Sequence, residues 1–249
     1  MPNHVYHRVN FKGNPESVEK LKQQIQTVHE DENSGAQYTN HIGFNKIIPR
    51  PETISNVESI SSHESKAREL FSIIRIDSKY STEKSNNSIT VNWFKEYISK
   101  YLPDSAPEKT GQPEDEFENM VTIIFNLSEY GVPTWYEWSN KYWNTKWNAY
   151  ETEYKDGELR FETAWSTPYP VLLKLSEIFP DVEIHVDYAN EDLGCNCGRV
   201  LYQGGNITEF DLDNTDFKNP THFAFWVRYG DDPEIQKEYG FNENWEYVG

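Results

Sequence analysis

The segment ELRFETAWSTPYPVLLKLSEIFPDVEIHVDY, residues 158–188, holds the clearest structural pattern in the chain. Apolar and polar side chains alternate over residues 158–165 and again over residues 182–188, which is typical of strands with one buried face. Between these runs, Thr167 and Pro168 have the pattern of a helix start, and apolar side chains then recur at helical spacing. The segment therefore predicts a strand, a helix and a second strand.

Further strands are predicted on both sides of this segment. GRVLYQGG and NITEFDLD, residues 198–213, read as two strands joined at GGN, a strong hairpin signal. HVYHRVNF, residues 4–11, alternates in the same way, and Asn14 with Pro15 begins a helix. His7 shares the apolar face of its strand, so a core histidine is expected there. The predicted fold is α+β, a ferredoxin-like antiparallel or mixed sheet with helices packed on one face.

The middle of the chain is predicted to be helical and irregular, because short apolar runs are separated by loops rich in serine, asparagine and charge. Residues 117–131 form its strongest helix pattern, closed by Gly131. These patterns divide the chain into two parts. Residues 1–131 contain an opening strand and helix followed by the mostly helical segment. Residues 132–249 form an aromatic-rich ferredoxin-like domain. The two parts could also form one compact unit.

The charge balance bears on the partners of this protein. The chain has 41 acidic and 23 basic residues, a net charge of −18, and from Asp181 onward the local net charge is −11. Such a surface repels a phosphate backbone, so direct nucleic-acid binding is not expected. The expected partner is a host protein that is basic or that itself binds nucleic acid. Asp211, Asp213 and Asp216 are the candidate partner-binding residues. No leader or membrane-spanning pattern is visible, so a cytoplasmic location is expected and no membrane partner.

The two cysteines, Cys195 and Cys197, stand in the sequence GCNCG. Thiols one residue apart cannot close an ordinary disulfide, and no second pair of ligands at metal-site spacing accompanies them. We therefore expect neither a bond nor a metal here, and no cofactor elsewhere.

Residues 135–147 contain four of the eight tryptophans of the chain. Placed on a helix, these rings cover a wide arc, which favours a role in the core. The polar residues among them also permit a pocket for a small anionic ligand such as a nucleotide, near a helix start. The candidate ligand-binding residues are Trp143, Asn144, Lys146, Trp147, Asn148, Trp165 and Ser166.

The same stretch carries a family resemblance. NKYWNTKWNAYE, preceded by LSEYGVPTWYEW and followed by RFETAWSTPYP, resembles the Api92-like and YubB-like proteins of phages and plasmids, and FNKIIPRPE at residues 44–52 extends the likeness. That family usually has glycine where Asn144 stands. The resemblance implies a ferredoxin-like C-terminal domain and a phage or mobile-element source, and it leaves the function open.

Three functional hypotheses follow. The first is a non-enzymatic phage or mobile-element accessory protein that acts by binding, with its acidic face inhibiting a host immune factor. The second is a module that binds, and so sequesters, a nucleotide or other small signalling ligand. The third is an unrecognised hydrolase, for which His185 and Asp187, on one face of a strand, are weak candidates because no known catalytic motif is present. We expect no catalytic residues, and the sequence does not indicate an oligomeric state.

Overall fold

The computed structural model of this protein describes residues 3–30, 35, 37–212 and 215–249. The strands are β1 (His4–Lys12), β2 (Thr27–Glu30), β3 (Gln37–Asn40), β4 (Tyr150–Lys155), β5 (Glu158–Ala164), β6 (Glu183–Asn190), β7 (Cys197–Gln203) and β8 (Asn206–Phe210). The α-helices are α1 (Pro15–Ile25), α2 (Phe44–Ile47), α3 (Glu52–Ser55), α4 (Ser61–Ile74), α5 (Ser78–Ser85), α6 (Val91–Tyr101), α7 (Pro107–Thr110), α8 (Glu114–Tyr130), α9 (Trp135–Tyr142), α10 (Tyr169–Ile178), α11 (Pro220–Tyr229) and α12 (Pro233–Glu238). A short 3-10 helix covers Pro103–Ser105.

Among the described residues, six strands form one antiparallel sheet in the order β4-β5-β1-β6-β7-β8. β1 lies at its centre, where Val5 pairs with Thr163 of β5 and Asn190 of β6. In chain order, β1, α1, β4, β5, α10 and β6 repeat the strand-helix-strand-strand-helix-strand arrangement of a ferredoxin-like domain. The predicted α+β antiparallel fold is confirmed. β2 and β3 pair separately as a hairpin.

One face of the sheet is apolar and covered by helices. Val5, His7 and Val9 of β1 are buried on it, as their alternation predicted. α10 packs against β6, β7 and β8, and its Tyr169 contacts the rings of Tyr188 and Tyr202. His7 is 2% exposed and stacks on Phe161 with ring centroids 4.5 Å apart, which confirms it as a core histidine.

The opposite face is polar and is crossed by α11, an element that the sequence patterns did not indicate. α11 packs against β1, β6 and β7 and buries Phe223, Ala224 and Val227 with Ala189 in a second core. The sheet thus has helices on the predicted face and one further helix, α11, on the opposite face.

Residue contacts divide the chain into two compact units, Met1–Pro49 with Ser139–Gly249, and Arg50–Trp138. The predicted boundary between residues 131 and 132 differs from this division for a topological reason. β1 pairs with both β5 and β6, so the opening strand is part of the same unit as the C-terminal strands. The helical middle is an insertion within that unit's sequence.

The inserted unit, Arg50–Trp138, is built around α8, which packs against α3, α4 and α6. α8 ends as predicted, with Gly131 in the left-handed region at φ 71°. The fully or nearly buried side chains of this core include Leu70, Ile74, Phe94, Ile98, Phe117, Met120, Val121, Ile123 and Ile124. The prediction of a helical middle segment is confirmed.

Candidate functional site

The ring of Trp143 belongs to the core of the sheet unit. α9 ends at Tyr142, so Trp143 begins a turn instead of continuing the predicted helical arc. Its side chain is 3% exposed and lies edge-on to Phe44, with ring centroids 5.7 Å apart. Its Nε1 donates a hydrogen bond to the carbonyl oxygen of Ile48 at 2.9 Å. Trp143 therefore supports the fold beneath the candidate pocket.

The polar residues of this turn bind the protein's own backbone. Asn144 Nδ2 donates to the Thr167 carbonyl at 2.9 Å, and Ser166 Oγ donates to the Asn144 carbonyl. Asn148 Oδ1 accepts from the Phe44 amide at 2.7 Å. Asn144 has φ 60°, a conformation that suits glycine or asparagine, which explains why both residues fit this position.

Lys146, Trp147 and Trp165 form an aromatic and cationic cluster at the surface. The Lys146 ammonium lies 4.2 Å from the centroid of the Trp147 ring and 5.3 Å from that of Trp165. Trp165 is 38% exposed and has φ 77°, which is unusual for a large side chain. The structure thus brings the seven predicted ligand-binding residues to one region, in which Trp165 is exposed and Lys146 and Trp147 are half-buried.

Thr167 was predicted to cap α10, but the helix begins at Tyr169 and has no side-chain cap. The Thr167 hydroxyl instead lies at hydrogen-bond distance, 3.2 Å, from Nε2 of the buried His7 ring. The residue therefore joins β1 to the start of α10.

The predicted acidic surface follows β8. Asp211 and Asp216 are exposed, and Asp213 lies outside the described residues. All five residues of β8 are exposed, including Ile207 at 43% and Phe210 at 42%. Within the described part of the chain, β8 has a hydrogen-bonded neighbour, β7, on one side only. An acidic segment therefore continues directly from an open sheet edge.

A cavity of about 610 Å³ opens beside this edge on the polar face of the sheet. Its walls include Lys12, Arg199, Phe210, Asp211 and Trp226. Such a mixture of rings and charges can receive a long charged side chain.

His185 and Asp187 also line this cavity, but they have separate partners. His185 Nε2 lies 2.8 Å from Glu183 Oε2, whereas Asp187 accepts two hydrogen bonds from Arg199 at 2.6 and 3.1 Å. The bidentate pair raises the pKa of Arg199 further. The acid-base pairing considered from the sequence is thus replaced by one pair within β6, His185 with Glu183, and one pair between β6 and β7, Asp187 with Arg199.

A second cavity, of about 540 Å³, lies on the other side of α11, near β4 and β5. It contains Tyr6, Arg160, Glu162 and Arg228, which come from β1, β5 and α11. Burial raises the pKa of Glu162, although its hydrogen bond with His4 at 3.0 Å acts in the opposite direction. No sequence signal could group these residues, because they meet only through the strand pairing and α11.

Cys195 is an exposed free thiol and Cys197 a half-buried one. Burial raises the pKa of Cys197, and the neighbouring Cys195 raises it further. The described residues contain no group of three or more histidine, cysteine, aspartate or glutamate side chains arranged to hold a metal ion. None of the helices in the described part of the chain is both long and apolar enough to cross a membrane.

The sheet order and its two crossover helices define this protein as one with a ferredoxin-like α+β domain. Residues 142–234 match the family model described as the ferredoxin-like domain in Api92-like protein. The resemblance to Api92-like proteins is confirmed. The matched region contains β4 to β8, while β1, at the centre of the sheet, lies outside it.

A solved structure, the crystal structure of a protein api92 from Yersinia pseudotuberculosis, is similar to this chain at 11% sequence identity. The alignment covers 85% of this chain and 99% of that one, with a TM-score of 0.37. A TM-score this low does not establish a shared overall fold. No curated protein matches the sequence.

Proposed function

We propose that this protein acts by binding, as a phage or plasmid accessory factor that captures a basic host protein in the host cytoplasm and blocks its function. A host immune factor is the expected target. The observation that carries the proposal is the open edge at β8, which is exposed along its whole length and continues into an acidic segment. The likeness to Api92-like proteins supports the phage or plasmid setting.

An open strand edge presents backbone N–H and C=O groups that an extended peptide can pair with. Proteins usually protect such edges with lysine, proline or a covering element. β8 instead carries the exposed apolar side chains of Ile207 and Phe210. Exposed apolar side chains on either side of an edge strand give an added strand a surface to pack against.

The charge around β8 favours a basic partner. Asp211 and Asp216 follow the strand, and the chain from Asp181 onward has a net charge of −11. A field of this sign attracts a basic partner and accelerates association at low ionic strength. It also repels nucleic acid, which supports a protein as the ligand.

The cavity of about 610 Å³ beside β8 offers a place for a lysine or arginine side chain of the partner. Glu209 and Asp211 supply negative charge, and the exposed ring of Phe210 supplies a face for cation–π contact. Asp187 is paired with Arg199, and Glu209 and Asp211 are the other carboxylates that line this cavity.

The test is capture from a bacterial host lysate with immobilised wild-type protein and with the double variant Asp211→Lys/Asp216→Lys. The matched control is Asp104→Lys/Asp115→Lys, which makes the same change in net charge at exposed positions of the inserted unit. We expect a basic protein to be captured by the wild type and the control, and to be lost with the β8 variant. Equal capture by all three proteins, or no capture, would contradict the proposal.

Two further measurements on the captured partner locate the contact. Hydrogen exchange of the complex should show new protection at the amides of Asn206–Phe210, because an added strand pairs with this edge. The affinity should fall steeply as salt rises, because the attraction is screened. Protection confined to other strands would move the interface away from β8.

A further inference from the structure

The cavity of about 540 Å³ between α11 and strands β4 and β5 collects an unusual set of charges for this protein. Three basic side chains, Lys155, Arg160 and Arg228, line it, although basic residues are outnumbered 23 to 41 in the chain. The cavity is distinct from the surface proposed for the partner protein, since it lies at the β4 side of the sheet and β8 forms the opposite edge.

The guanidinium of Arg228 is held in position by neighbouring groups. Nη1 donates to the Glu191 carbonyl oxygen at 2.6 Å, and Nη2 donates to the Tyr6 hydroxyl at 3.4 Å. The guanidinium carbon lies 4.5 Å from the centroid of the Tyr6 ring and 4.9 Å from that of Tyr229. Each terminal nitrogen carries two hydrogens and uses one in these bonds, so one on each remains for a bound acceptor.

Arg160 is held less tightly. Its Nη2 is 3.3 Å from Glu158 Oε2, a carboxylate that also accepts from Arg8 Nε at 2.8 Å. The Nε atoms of both Arg160 and Arg228 are buried and have no hydrogen-bond partner among the described residues. Buried donors without a partner are unusual in native proteins. An anion in the cavity can accept hydrogen bonds from these two arginines once their side chains rearrange around it.

Three carboxylates, Glu151, Glu153 and Glu162, line the cavity beside the three basic side chains. Burial raises the pKa of Glu162, and its hydrogen bond with His4 opposes that rise. Glu151 and Glu153 are exposed on β4 at the rim, where they can accept hydrogen bonds from ligand hydroxyls.

We propose that this cavity binds a small phosphate monoester that also bears hydroxyl groups, the chemistry of a sugar phosphate, with Arg160, Arg228 and Lys155 around the phosphate and Glu151 and Glu153 accepting from the hydroxyls. Two arginines and one lysine together offer enough N–H donors for the several oxygens of a phosphate group. Arginine also presents paired N–H groups that suit phosphate oxygens.

The experiment is calorimetric titration of the full-length protein with ribose 5-phosphate, with ribose and inorganic phosphate as separate probes. Ribose 5-phosphate should bind saturably, inorganic phosphate more weakly, and ribose not measurably. Arg160→Gln and Arg228→Gln should each weaken ribose 5-phosphate binding by about tenfold to a hundredfold, the usual effect of losing a charged hydrogen bond. The matched control, Arg75→Gln at an exposed position of the inserted unit, should bind as the wild type does.

Arg228 also contacts Glu191 and Tyr6, so its variant could lose structure. Lys155→Gln, at an exposed position, gives an independent test, and we expect it to weaken ribose 5-phosphate binding as well. The inference is overturned if ribose 5-phosphate shows no saturable binding, or if folded Arg160→Gln and Lys155→Gln bind it normally. Inorganic phosphate binding as tightly as ribose 5-phosphate would remove the hydroxyl-binding role of Glu151 and Glu153.

Discussion

Arg8 of β1 and Trp226 of α11 are joined by two contacts at once: the guanidinium carbon lies 3.9 Å from the centroid of the indole ring, and Nη1 donates to the Trp226 carbonyl at 3.0 Å. Arg8 Nε also donates to Glu158 Oε2 at 2.8 Å. A single arginine therefore connects the central strand, its neighbour β5 and the helix on the polar face.

Arg8→Met should destabilise the protein by about 3 kcal/mol, because the side chains of Arg8 and Glu158 are only 11% and 14% exposed and the carboxylate loses its main partner. Urea unfolding measures this change. Arg8→Met/Glu158→Gln should recover part of the loss, since no unpaired charge remains. A double variant that is less stable than the single one would argue against the buried pair.

The Arg8–Glu158 pair also predicts that the stability of the protein depends on pH in the acidic range. Burial raises the pKa of Glu158, but hydrogen bonds from Asn10 and Arg8 outweigh it and leave the pKa below its ordinary value. Its stabilising contribution is therefore present above the unfolded-state pKa and is lost as pH falls through the folded-state pKa. In Glu158→Gln, the free energy of unfolding should fall less between neutral and acidic pH than it does in the wild type.

Trp143→Ala should cost about 3 to 5 kcal/mol, the usual range for removing a large aromatic side chain from a core. The ring is 3% exposed and its Nε1 is hydrogen-bonded to Ile48. Trp165→Ala, at a side chain 38% exposed, should cost clearly less and serves as the control in the same urea titration. Equal losses for the two variants would mean that Trp143 is not a core residue.

His7 should make stability depend on pH in the mildly acidic range. Burial lowers the pKa of His7 from 6.5 to about 3, so between these values the unfolded chain binds a proton that the folded protein does not. Stability therefore falls as pH drops below 6.5, with a slope from this group of at most about 1.4 kcal/mol per pH unit. His7→Met should lack this component when unfolding is measured at pH values across that window.

Residues 132–249 expressed alone should fail to fold cooperatively, because the fragment lacks β1, which pairs with both β5 and β6. Circular dichroism and thermal unfolding measure the outcome. Residues 1–49 added as a separate chain should restore a cooperative transition by supplying that strand. A sharp transition in the fragment alone would show that β5 and β6 can close the sheet without β1.

Local patterns predicted the elements that depend on neighbouring residues. The alternation of Ile184 and Val186 and the glycines at 204 and 205, both with positive φ, specify β6 and the β7–β8 hairpin within a few residues. Gly131 ends α8 for the same local reason. The fold class could therefore be predicted from the sequence.

The remaining features depend on residues far apart in the sequence. Nothing near His4 shows that β1 lies between β5 and β6, so the sequence could not assign residues 1–49 to the same unit as residues 139–249. Arg160 and Arg228 share a cavity only because α11 crosses the polar face. Among the predicted site residues, Lys146, Trp147 and Trp165 do meet at the surface, whereas Asn144 and Asn148 are engaged by the backbone.

The central position of β1 has a consequence for biosynthesis. β1 leaves the ribosome long before β5 and β6, its two neighbours in the sheet, and the whole of Arg50–Trp138 emerges in between. The inserted helices can fold as soon as they have emerged. β1 remains an unpaired strand until β5 and β6 have been synthesised. The final sheet must therefore form late in translation, and the nascent chain exposes an aggregation-prone strand that chaperones can recognise.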